Sequence, residues 1–101
     1  MTLVNNLQAV PVQDVYFSSA SGDFTLELRL NMCGIMMMSV KLNDRYVARN
    51  ARCFPGQPVL AYEWQQTAGN FVFMTGGSEY PHYSNFGSSC LLYYTEPGEQ
   101  I

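Results

Sequence analysis

Apolar and polar side chains alternate without a break over residues 23–30: Phe24, Leu26, Leu28 and Leu30 fall on one side, Thr25, Glu27 and Arg29 on the other. A strand turns successive side chains to opposite faces, so this pattern predicts an antiparallel strand with one face on a core and the other on water. Upstream, Val15, Tyr16 and Phe17 mark a strand over 12–18, and Ser19, Ala20, Ser21 and Gly22 make a small-residue turn between the two. The pair therefore reads as a hairpin. Downstream, 35–42 is apolar almost throughout and alternates only toward its end, as expected of a central strand. Asn43 and Asp44 tolerate positive φ and bond to their own backbone, which supplies a turn into a return strand over 45–48.

The pattern loosens over 49–58, where Pro55 and Pro58 lack the N–H that a central strand donates, so a loop is expected there. Residues 59–64 fit either one helical turn or an edge strand, because Leu60, Tyr62 and Trp64 alternate while Ala61 and Glu63 favour helix. After a turn at Gly69 and Asn70, 71–75 is aromatic and apolar and ends at Gly76 and Gly77, a point of sharp reversal. Residues 78–89 follow no period and form a surface loop rich in aromatic side chains; a last strand over 90–95 precedes a short tail. Nowhere do apolar residues recur at helical spacing. About six or seven short strands in hairpin order predict an all-β chain, packed as a small antiparallel barrel or a β-sandwich. One β domain is expected over residues 1–101, with short flexible ends near 1–8 and 96–101.

Composition narrows the function. Apolar residues make up 48% of the chain, enough to build one core and too many for a disordered tail. Charged residues are only 13%, about half the ordinary share, so few charges keep copies apart and the surface suits a subunit packed against neighbours. The net charge is −3 and the cations are limited to Arg29, Lys41, Arg45, Arg49 and Arg52, which argues against a phosphate-backbone partner. No apolar run approaches a membrane span, and the first residues lack the basic start and apolar stretch of a signal peptide. No membrane partner is expected, and synthesis is expected in a cytoplasm.

Little chemistry is offered. His82 is the only histidine, so any nucleophile system would have to use it as its base, and no serine near it sits in a nucleophile-elbow motif. Cys33, Cys53 and Cys90 show neither a C-x-x-C pair nor metal-ligand spacing, so reduced thiols are expected. The acidic residues are spread singly, and Gly76 and Gly77 lack the Lys-Ser/Thr of a phosphate loop. Hence no catalytic, cofactor-binding or metal-binding residues are expected, and no cofactor. Met36, Met37 and Met38 read as core filler. Tyr80, Tyr83 and Phe86 are the expected partner contacts: a ring on an irregular loop stays exposed unless a neighbour covers it, and no basic residue lies near them in sequence.

The order of these features is itself informative: the alternating strand at 23–30, the apolar strand with its Asn43-Asp44 turn, Pro55-Gly56, Leu60, Tyr62, Gly76-Gly77 and Leu91-Leu92-Tyr93-Tyr94. In that order and spacing the chain resembles the baseplate plug proteins of contractile-tailed bacteriophages, of the cyanophage baseplate type. It departs from them in its methionine run and its low charge. The resemblance implies a non-enzymatic, barrel-like structural subunit, present in several symmetric copies, that plugs or braces the central hub, spike and wedge before contraction. It implies hub, spike, tube-initiator or wedge proteins as partners, and a place in the tail baseplate of the virion after assembly in the host cytoplasm. The alternative is a stand-alone small β-barrel module that recognises a peptide, sugar or nucleic acid through its aromatic loop; a compact enzyme using His82 is a third reading.

Overall fold

The computed structural model describes residues 2–4, 6–20, 22–60, 65, 68–76 and 80–97. Its strands are β1 (Thr2–Val4), β2 (Val12–Ser19), β3 (Gly22–Leu30), β4 (Met36–Leu42), β5 (Arg45–Arg52), β6 (Asn70–Met74) and β7 (Leu91–Thr95). They form two antiparallel sheets, a four-stranded meander in the order β2-β3-β4-β5 and a three-stranded sheet in the order β1-β7-β6.

The meander follows the hydropathy pattern closely. β2 and β3 pair without a slip from Val12 opposite Arg29 to Ser19 opposite Gly22. Phe24, Leu26 and Leu28 face inward and are buried, as are Met36, Met38 and Val40 of the adjacent strand. Two of the three methionines are thus core, and Met37, on the opposite face, is half-covered. Between β3 and β4, the Asn31 side-chain oxygen accepts from the N–H groups of Cys33 and Ile35 and so holds the turn. Asn43 and Asp44 both adopt positive φ, 51° and 67°, which is the backbone a two-residue hairpin turn with right-handed twist demands.

Of the two expected packings, the all-β sandwich is found and not the closed barrel: the chain leaves β5 and passes to the edge of the other sheet through prolines. Gly56 N–H donates to Phe73 O at 2.7 Å and Val59 N–H to Phe71 O at 2.8 Å, while Pro55 and Pro58 have no N–H with which to extend a ladder. Other expectations are corrected. The expected loop begins too early, since β5 runs on to Arg52. Its register with β4 shifts twice, and Asn50, at φ 51°, turns its N–H to the Ser39 hydroxyl, so bulges break the alternation without ending the strand. Thr2–Val4, for which no strand is expected from hydropathy, lies as β1 on β7, with Val4 buried. Of 59–64, Val59 and Leu60 are buried and the remainder lies outside the described residues.

The sheets join face to face through rings. Phe24 lies edge-on to Phe71 at 5.0 Å, and Phe17 and Phe24 pack on Tyr94 at 4.9 and 5.6 Å. The buried Tyr94 hydroxyl donates to Ala68 O at 2.5 Å, which keeps its polar tip satisfied inside the core. Beside this cluster, Asn70 bridges the chain to itself: its side chain accepts from Leu60 N–H and donates to Leu60 O, both at 2.9 Å and both buried. The amide thus satisfies both backbone groups of Leu60 as a strand neighbour would. Gly69, at φ 116°, leaves no room for a side chain here, since a Cβ would fall 2.5 Å from Thr95 O.

Candidate protein-contact surface

The expected aromatic loop divides between interior and exterior. Phe86 is a core residue, 6% exposed and stacked on Phe73 at 5.9 Å between ring centroids. It turns inward because Tyr83–Asn85 forms a single 3-10 turn, after which Phe86 and Cys90 bridge and both are buried. Tyr83 is half-buried against the His82 ring at 4.5 Å. Of the three expected contacts only Tyr80 stands clear, 56% exposed. His82 caps the turn: its Nδ1 lies 2.8 Å from the Ser84 hydroxyl and accepts from Ser84 N–H, so its local partners account for its position.

A basic neighbour, absent from the loop in sequence, is supplied by the fold. At the end of β5 the Arg52 guanidinium lies 5.0 Å from the Phe54 ring centroid and 5.1 Å from that of Tyr80, with the two rings 6.0 Å apart. A cation held against two ring faces is oriented without being neutralised. Beside it opens a cleft of about 120 Å³ lined by Ile35, Met36, Cys53, Tyr80 and Pro81. Along the same strand Arg49 lies 4.0 Å over the Tyr46 ring, Lys41 approaches that ring at 4.8 Å, and the Tyr46 hydroxyl donates to Glu27 at 2.9 Å.

Ion pairing is uneven. Arg29 meets Asp14 at 2.9 Å and Lys41 meets Glu27 at 3.7 Å. Among the described residues no carboxylate pairs with Arg45, Arg49 or Arg52, nor any cation with Asp23 or Asp44. Asp23 and Asp44 lie at the opposite end of the four-stranded sheet from Arg52, as the register shows: Leu42 faces Arg45 at one end, and Met37 faces Arg52 at the other. Asn43 ties this acidic end together, its N–H donating to Asp23 O at 2.8 Å and its side-chain oxygen accepting from Asp23 N–H at 3.0 Å. An open depression there is lined by Tyr16, Phe17, Asp23, Asn43 and Asp44, among others.

The three thiols divide between surface and core. Cys33 is exposed, while Cys53 and Cys90 are buried and none is bonded to another. Burial, with the nearby Cys90 thiol, pushes Cys53 up to about 12, and burial pushes Cys90 up to about 11 against a lowering hydrogen bond from the His82 backbone. Both are therefore neutral and unreactive near neutrality. Among the described residues no group of three His, Cys, Asp or Glu side chains gathers as a metal site, and no helix is long and apolar enough to cross a membrane.

The described residues thus form a small two-sheet β fold that turns aromatic rings and, among them, arginines without a carboxylate partner outward. Comparison with known proteins supplies a family. The family model described as cyanophage baseplate Pam3 plug gp18 matches residues 2–97, and the chain belongs to this family. It is a family of structural proteins of a phage baseplate, whose setting is the virion tail among other baseplate proteins. A search of curated proteins gives no match.

Proposed function

We propose that this chain is a non-enzymatic plug that braces the central hub and spike, and the wedge proteins around them, in the baseplate of a contractile tail before contraction. Membership of the plug family across residues 2–97 carries this reading. The surface supports it: the described residues offer rings and cations placed for contact, with Tyr80, Arg52 and Phe54 as the most prominent group. Several symmetric copies are part of the reading, since a low charge density leaves little repulsion between neighbours. The chain would form one β domain and assemble in the host cytoplasm before entering the virion.

Mass spectrometry of purified particles, before and after induced contraction, tests this. The expected result is a fixed ratio to the hub protein in extended tails and a lower ratio once tails have contracted. A chain absent from extended particles overturns the reading.

A further inference from the structure

We infer that the chain assembles head to tail with a second copy of itself, the Arg52 corner of one copy entering the acidic depression of the next. This rests on the proposed role as a multi-copy subunit and supplies the contact that role needs.

The two surfaces match in charge and in kind. One end of the four-stranded sheet projects Arg52, braced between Phe54 and Tyr80 and lacking a carboxylate partner among the described residues. The other end presents Asp23 and Asp44, neither paired with the adjacent Arg45, around a depression with Tyr16 and Phe17 in its lining. The receiving side is prebuilt, because the Asn43 bonds to Asp23 fix both hairpin ends. A guanidinium prefers a planar carboxylate partner, and the rings beside it give it aromatic surface to meet in the exposed Tyr16.

Charge narrows the alternatives. A two-fold contact that lays like ends together would set Arg52 against Arg52, whereas an antiparallel two-fold would pair Arg52 with Asp44 twice and stop at a dimer, so assembly beyond a dimer marks the head-to-tail contact. A head-to-tail contact pairs each end once per copy and is heterologous, so a suitable rotation closes it into a ring. Nucleic acid is disfavoured as the occupant of the Arg52 corner by the net charge of −3.

Sedimentation and native mass spectrometry of the purified chain at low ionic strength provide the test, with Arg52→Glu, Asp44→Arg and the double variant. Wild type is expected to form species larger than a dimer and to dissociate as salt is added; association that stops at a dimer overturns the head-to-tail contact. Each single reversal weakens association by at least about tenfold. An equimolar mixture of the two single variants is expected to form heterodimers, and the double variant to recover self-association, with unchanged melting of all four proteins showing that folding is intact. A monomeric wild type at millimolar concentration overturns the inference, as do single reversals that associate like wild type, or capture of single-stranded DNA by the wild type through Arg52. Incorporation into particles is scored separately: a chain at fixed ratio in tails that does not self-associate leaves the plug reading standing and removes only the head-to-tail contact.

Discussion

Rings of the same chemistry occupy two very different settings in this molecule. Phe17, Phe24, Phe71 and Tyr94 pack on one another between the sheets, without a charge among them, and the polar tip of Tyr94 is met by a backbone carbonyl. Tyr46, Phe54 and Tyr80 lie on the surface, and each has an arginine against its ring. The inner rings exclude water and thereby hold the sheets together; the outer rings stay 36–56% exposed and hold cations in place. Packing and the holding of cations are therefore divided between separate sets of aromatic residues, and substitutions should separate the fold from the proposed contact.

The largest effect is expected inside. Phe71→Ala removes the ring that both Phe17 and Phe24 touch and should lower unfolding free energy by about 3–5 kcal/mol in urea denaturation. Asn70→Ala strips two buried bonds to Leu60 and should cost about 2–4 kcal/mol, with Asn70→Asp no rescue because a carboxylate cannot donate to Leu60 O. Equal losses from Tyr80→Ala would erase the distinction between the two sets. Tyr80→Ala, at an exposed ring, is instead expected to change stability by less than about 1 kcal/mol while weakening assembly. Smallest of all should be the response to thiol reagents at neutral pH: Cys33 reacts promptly with no loss of stability, and Cys53 and Cys90 react only on unfolding, because burial keeps them protonated.

Much of the inner set is legible in the sequence, since Phe24, Leu26, Leu28 and the Asn43-Asp44 turn announce a half-buried hairpin stack through local periodicity alone. Bulges hide the far end of β5, because an extra residue breaks the alternation on which strand reading depends. β1 is hidden for another reason: three residues carry almost no pattern, and their partner lies at the other end of the chain. The outer set is harder still. Arg52 and Tyr80 are far apart in sequence and meet only when β5 runs to its full length, so the aromatic loop looks as if it lacked a cation. Phe86 looks exposed for the converse reason, since nothing local marks the turn that sends it inward onto Phe73. One sequence signal could have pointed to a basic strand: Arg45, Arg49 and Arg52 fall within a single strand that holds no acidic residue.

The most direct test of the division between inner and outer rings is a density map of the extended tail at side-chain resolution. The account predicts the chain in the baseplate with the corner formed by Arg52, Phe54 and Tyr80 covered by a protein neighbour and a carboxylate on the guanidinium. A baseplate in which that corner faces open solvent in every copy would contradict it.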